Sequence, residues 1–130
     1  MIVDSSALVA LVLEEQGSER LGVLLADAPT AGVGTPTLVE TGIVLRHRMG
    51  GPARAALSRL LADAELEQIP FTDRHWPVAL RAFARYGKGR HPAALSLGDC
   101  FTYATASLAG EPLLCVGTDF GQTDLELARG

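Results

Sequence analysis

Four acids, Asp4, Glu40, Asp99 and Asp119, stand where apolar runs give way to other elements. Asp4 follows directly on a short apolar run that begins at Met1, and Asp119 follows the run 113–116 by a short turn. Glu40 and Asp99 each sit near the start of a helix-favouring stretch. Brought into one pocket, such acids would repel one another strongly. Two unit charges about 4 Å apart interact by roughly 4 kcal/mol at an effective dielectric of 20. A small domain has a total stability of only about 5–15 kcal/mol. A shared pocket therefore requires either protons held at raised pKa values or a neutralising cation. An all-oxygen donor set favours Mg²⁺ or Mn²⁺ over zinc. Such ions suit phosphate chemistry, since they acidify a bound water and offset charge on a leaving oxygen. No serine triad or Cys/His pair is evident. His47, His75 and His91 lie in basic segments without metal-ligand spacing, which reads as structural or substrate-contacting.

Each acid also has a plain structural explanation. Thr37-x-x-Glu40 and Ser96-x-x-Asp99 both fit a capping box, in which the third-position acid satisfies a free backbone N–H. Asp4 could initiate a turn, and Asp119 could cap a short final helix.

The elements that would position these residues shift the balance toward a shared site. A strand is expected at 1–3, helices over 7–13 and 18–26, and a weak strand near 31–33. Pro36 sits where a first-turn proline belongs, opening a helix to about Met49 that Gly50, Gly51 and Pro52 stop. An amphipathic helix over 53–64, a strand over 66–70 and a helix to Tyr86, capped by Thr72 or Asp73, follow. After a loop at 87–96 come a helix over 97–109, ended by Gly110, and a strand over 113–116. This alternation predicts the α/β class with a parallel sheet covered on both faces. In such sheets, sites form beyond the carboxyl ends of the strands. Asp4 and Asp119 should emerge at that edge, and so should Glu40 and Asp99 if both lie in first helical turns.

The bulk properties fit. The 130 residues read as one domain, 1–130, with 48% hydrophobic and 20% charged residues. The net charge of −4 speaks against gripping nucleic acid over the whole surface. Its distribution is uneven, however. Arg46, Arg48, Arg54 and Arg59, and again Arg74 to Arg90, form basic regions without acids, compatible with a local polyanion track or with solvated helix faces. Asp4 and the lack of a basic leader argue against a secretory signal, and the apolar run 7–13 is too short to span a bilayer. Cys100 and Cys115 read as buried free thiols, so a cytoplasmic location with no membrane contact is expected.

The segments IVDSSALVAL, PTLVET, LSLGDCFTYATA and LLCVGTDFGQTDL resemble, in order and spacing, those of VapC-type toxins of the PIN-domain family. The match spans nearly the whole chain. It implies a three-layer α/β/α sandwich around a parallel sheet, Mg²⁺- or Mn²⁺-dependent ribonuclease activity on RNA, inhibition by a small cognate antitoxin, and a homodimer. Carried over by position, Asp4, Glu40, Asp99 and Asp119 become the catalytic acids, with Asp4 and Asp99 the principal metal ligands. Glu40 and Asp119 would orient water or a second ion, and Ser5 or Ser6 would lend a hydroxyl. Ser5 stands where threonine is common, and Thr118 where asparagine is common. Asp124 recurs in similar sequences without an assigned role. Two rival readings are an inactive RNA-binding or antitoxin-sequestering module and a receiver-like phosphoacceptor. The presence of all four acids counts against the first. The second expects paired acids after the first strand and a lysine near the last, and Lys88 is the only lysine.

Overall fold

The computed structural model describes residues 1–129. In chain order the elements are β1 (Ile2–Val3), α1 (Ser5–Val12), α2 (Ser18–Asp27), β2 (Gly32–Gly34), α3 (Thr35–Met49), α4 (Ala53–Asp63), β3 (Glu67–Ile69), α5 (His75–Tyr86), α6 (Leu97–Ala109) and β4 (Leu113–Leu114). A single 3₁₀ turn, Phe120–Gln122, follows. The strands form one sheet in the order β3-β2-β1-β4, with every pairing parallel. The expected α/β/α layering is present.

Strand alternation assigns side chains to the two faces. Ile2 and Leu113 point into a core with Ala79, Ala82 and Tyr86 of α5 and Cys100, Tyr103 and Ala104 of α6. Their neighbours Val3 and Leu114 point the other way, against Ala7, Leu8 and Ala10 of α1 and Leu21 and Leu25 of α2. A third cluster, Val9, Leu45, Ala53 and Leu57, seals α1, α3 and α4 together. Both sheet faces are therefore covered, which is why β1, β2 and β4 are buried at every residue, whereas the edge strand β3 is largely polar and exposed.

Several boundaries moved from their expected positions for local reasons. Helix α1 starts at Ser5 because the Asp4 carboxylate caps it, accepting the Ser6 N–H at 3.1 Å. Helix α3 starts at Thr35, capped by Gly34 without a side-chain bond. Glu40 therefore falls in the second turn, not the first, and the expected Thr37–Glu40 capping box does not form. Thr37 is instead buried, with its hydroxyl 3.2 Å from that of Thr102. At α5, Arg74 rather than Thr72 or Asp73 takes the cap position. The Thr72 hydroxyl still accepts the Arg74 N–H at 3.2 Å. Strand β4 ends at Leu114, two residues early. Gly110 closes α6 in the left-handed conformation that glycine adopts without strain.

Leu8 is fully buried between α1 and the sheet. Leu8→Ala should lower the unfolding free energy by about 2–5 kcal/mol, measured as a shift of the urea midpoint at unchanged slope.

Candidate active site

The strand order reverses at β1: β2 and β3 lie to one side of it and β4 to the other. The crevice between the carboxyl ends of β1 and β4 is the topological switch point of the sheet. Asp4 is the first residue beyond β1, and the 115–119 loop leaving β4 carries Asp119. Helix α3 leaves β2 at the same edge. Helix α6 runs down to the start of β4, so its first turn, with Asp99, also lies at the carboxyl edge. Asp4, Glu40 and Asp99 lie within electrostatic reach of one another, and Asp119 within reach of Asp99. Asp4 and Asp99 both raise the pKa of Glu40, and Asp4 and Asp119 both raise that of Asp99.

Asp4 is the most firmly held. It is 3% exposed. One oxygen, Oδ2, accepts from both the Ser6 N–H at 3.1 Å and the Ser6 hydroxyl at 2.7 Å. The other, Oδ1, accepts the buried Thr102 hydroxyl at 2.7 Å. The Ser6 oxygen in turn accepts the Val116 N–H at 2.9 Å, which ties the end of β1 to the loop leaving β4.

Asp99 does form the capping box expected of it. Its Oδ2 accepts the Ser96 N–H at 2.9 Å, while the Ser96 hydroxyl accepts the Asp99 N–H at 3.2 Å. The structural and chemical readings of this residue are thus compatible, since the cap engages one oxygen. Burial is the main cause that raises the Asp99 pKa. The Ser96 hydrogen bonds oppose it, and the charges of Asp4 and Asp119 add to it.

Glu40 reaches across from α3 to the first turn of α6. Burial first, and then the Asp4 charge, push its carboxyl above the usual range; a Ser5 hydroxyl interaction pulls it back, and Asp99 raises it further. Its Oε1 is buried and has no hydrogen-bond partner. A buried acceptor without a donor carries an uncompensated desolvation cost, which a proton, a water or a cation would relieve. Asp119 is exposed, on the loop before the 3₁₀ turn, and its side chain does not cap that turn.

Two contributors escaped the sequence reading. Thr102 is a buried threonine in mid-helix, and nothing in its local sequence marks it as the partner of a residue 98 positions away. Gly98 is the other. A Cβ there would lie 2.6 Å from Glu40 Cδ, so the absence of a side chain makes room for the carboxylate beside Asp99. A glycine inside the first turn of a helix was the available signal, because helices disfavour it. Among the histidines, His75 Nδ1 accepts the Thr72 N–H at 3.1 Å and His91 Nδ1 accepts the Ala93 N–H at 3.0 Å. Both serve local turns. Cys115, expected to be a buried thiol, is half-buried and close enough to the acids that, after burial, Asp4, Asp119 and Asp99 help push its thiol up to about 11. It is therefore a protonated, neutral neighbour. Among the described residues, no three His, Cys, Asp or Glu side chains are disposed as a ready-made metal cage.

The PIN domain family model matches residues 1–125, and the chain belongs to this family. Its similar relatives are VapC proteins. Ribonuclease VapC36 of Mycobacterium tuberculosis is 51% identical over 127 residues, covering 97% of this chain and 91% of the relative. Ribonuclease VapC of Mycolicibacterium smegmatis is 40% identical, covering 96% and 97%. Among solved structures, the sarcin–ricin loop cleaving toxin VapC20 of M. tuberculosis superposes with a TM-score of 0.80 at 19% identity, over 99% of this chain and 98% of that one. VapBC2 of Rickettsia felis, bound to a DNA fragment from its promoter, gives 0.75 at 15% identity over 97% and 95%. At these identities the structural likenesses speak for the fold.

Two outcomes follow from Glu40. Its folded pKa lies above its unfolded value, so the folded state holds the proton to higher pH. Stability of the metal-free protein then falls as pH rises from the ordinary glutamate range through the raised value. Glu40→Gln should remove this loss. Its metal-free melting temperature should exceed that of the parent near about pH 7, with the gap narrowing toward about pH 4; a variant less stable at neutral pH would contradict the assignment. Gly98→Ala should keep stability within about 1 kcal/mol, because the group it meets is the mobile end of a side chain. It should nonetheless move the Glu40 carboxyl titration, followed by side-chain carbon NMR, back toward the ordinary range.

Proposed function

We propose that this chain is a metal-dependent endoribonuclease, the toxin component of a toxin–antitoxin pair, with residues 1–130 forming one PIN-like domain. The observation that carries the reading is the buried, unpartnered Oε1 of Glu40, on a rim where Asp4 and Asp99 act on the Glu40 carboxyl and Asp119 acts on Asp99. The ribonuclease names of relatives up to 51% identical support the reaction class. Nothing favours the inactive alternative.

The residues fit a hard divalent cation such as Mg²⁺ or Mn²⁺. All four donors are carboxylates, and the cluster needs positive charge to offset its own repulsion. Asp4 and Asp99 would be the direct ligands. A carboxylate offers about four lone-pair sites; protein donors take three on Asp4 and one is engaged on Asp99, so each retains capacity. Two carboxylates without a closed cage suit Mg²⁺, which keeps several of its waters. When bound, the ion would acidify adjacent water and offset charge developing on the phosphodiester. Glu40, with its raised proton affinity, would orient and accept a proton from the attacking water. Asp119 would complete the rim. Thr102 and Ser6 fix the Asp4 carboxylate through three hydrogen bonds, so it would offer a cation a preorganised ligand.

The exposed arginines of α3 and α4, and the basic residues from Arg74 to Arg90, would hold RNA phosphates flanking the cleaved bond. Among the described residues Arg48 is the one arginine in a side-chain ion pair, with Glu15, and Arg85 lies over the Tyr86 ring. Two apolar surfaces support two protein contacts, one to a cognate antitoxin and one to a second copy. The first is the trough between α5 and α6 lined by Trp76, Leu80, Phe83, Leu97 and Phe101. The second is the face of α3 and α4 with Val39 and Ile43. No described helix is long and apolar enough to cross a membrane, in keeping with action in the cytoplasm, where RNA is found.

Calorimetric titration with Mn²⁺ should give binding that Asp4→Asn abolishes, and Asp99→Asn should reduce cleavage of a mixed-sequence RNA pool by about 100-fold or more, a loss of roughly 2.7 kcal/mol of transition-state stabilisation. Metal binding or cleavage that survives both changes would sink the proposal.

A further inference from the structure

Asp119 is the least supported of the four acids: it is exposed, and its side chain does not cap the turn that follows it. Its position is therefore set by the backbone that carries it. That backbone is fastened before Asp119 by the bond from the Val116 N–H to Ser6. After Asp119 it is fastened by Phe120, which is buried in the core. It is fastened again where residues 126–128 return to β4, through Leu113 N–H to Glu126 O at 2.9 Å and Ala128 N–H to Leu113 O at 2.7 Å.

Between these anchors one side-chain pair ties the segment to α6. The hydroxyl of Tyr103 donates to Asp124 Oδ1 at 2.6 Å. Tyr103 is 8% exposed and stands four residues after Asp99, on the same side of α6 one turn further on. The link thus joins the helix that carries Asp99 to the segment that carries Asp119. The stretch between is stiffened locally. Thr123 donates its hydroxyl to Phe120 O at 2.7 Å and accepts the Leu125 N–H at 3.2 Å, so restraint at Asp124 is passed back to the 3₁₀ turn. A phenol bonded to an ionised carboxylate is shorter and stronger than a neutral pair, and it fixes direction as an apolar contact cannot.

We infer that Tyr103 and Asp124 form a positioning pair that holds Asp119 in place against the first turn of α6 and so sets how the acidic cluster engages a divalent ion. This rests on the reading of the cluster given above, and it gives Asp124 a task that its exposed position does not suggest. Neither residue touches the reacting atoms; both act through Asp119.

The test is a double-mutant cycle on the full chain, read by Mn²⁺ calorimetry and by single-turnover cleavage of the mixed-sequence RNA pool. Tyr103→Phe and, separately, Asp124→Asn should each weaken Mn²⁺ binding or lower the cleavage rate roughly 10- to 100-fold, the range seen when the outer partners of a metal site are removed. The substrate concentration for half-maximal rate should be little changed. Amide exchange should quicken over residues 117–122. In an Asp119→Asn background, neither change should have a further effect on binding or rate. If the effects of Tyr103→Phe and Asp119→Asn multiply, the pair acts otherwise and the inference falls while the site stands. If Asp119→Asn alone alters neither binding nor rate, the assignment of Asp119 falls and the inference with it. Should Tyr103→Phe disturb the core, Asp124→Asn, at an exposed position, carries the test alone.

Discussion

Like charges do not gather spontaneously, and the molecule is organised around forcing them to. The parallel sheet supplies the force. Each strand directs the chain out at the same edge, and the pairing of β1 with both β2 and β4 fixes where the emerging residues stand. The repulsion among the acids is then met by packing energy accumulated elsewhere, in the two cores on either side of Ile2–Val3 and Leu113–Leu114. Preorganised dipoles contribute at the rim itself. Thr102 and Ser6 point hydroxyls at Asp4, and Ser96 offers its N–H to Asp99. Glu40 is left with an unsatisfied oxygen. The load is distributed unevenly: Asp4 accepts three hydrogen bonds, while Glu40 keeps one buried oxygen with none. An arrangement of this kind costs free energy as it stands, and nearby positive charge would reduce that cost.

The approach of α3 to α6 shows how backbone choices serve the same end. Gly34, at the end of β2, has no side chain, and a Cβ there would come within 2.8 Å of the Thr105 hydroxyl. Gly98 performs the corresponding service one helix end away, under Glu40. Without side chains at these two places, α6 can lie close against β2 and α3, and Thr37 and Thr102 can meet between them. That contact backs the hydroxyl that holds Asp4. The geometry of the rim therefore depends on small residues that carry no chemistry of their own.

Much of this was legible in the sequence. Period and punctuation located every helix to within a few residues, since glycines and prolines stand at most of the boundaries and the apolar stripes are regular. The strand-to-helix alternation fixed the parallel sheet, and with it the edge at which Asp4 and Asp119 emerge. The reading failed where the answer depended on contacts between distant residues. Thr37-x-x-Glu40 matched a capping pattern, but the helix had already begun at Thr35, because Gly34 and Pro36 start it earlier than the pattern implied. Thr102 carried no local mark at all, as its role exists only once α6 lies against β1. Asp124 was visible as a recurrent residue but mute, because its partner Tyr103 lies on another element.

The treatment of the sheet's margins has a consequence for how copies of this chain can associate. On one side β4 is covered, since residues 126–128 lie along it and occupy the Leu113 N–H and C=O. On the other side β3 is three residues long and exposes Glu67 and Gln68. A short polar margin and an occupied one give an incoming strand nothing to extend, which protects the chain against templated fibre growth. Any association of copies is thereby steered away from backbone pairing and toward the side chains of the outer helices.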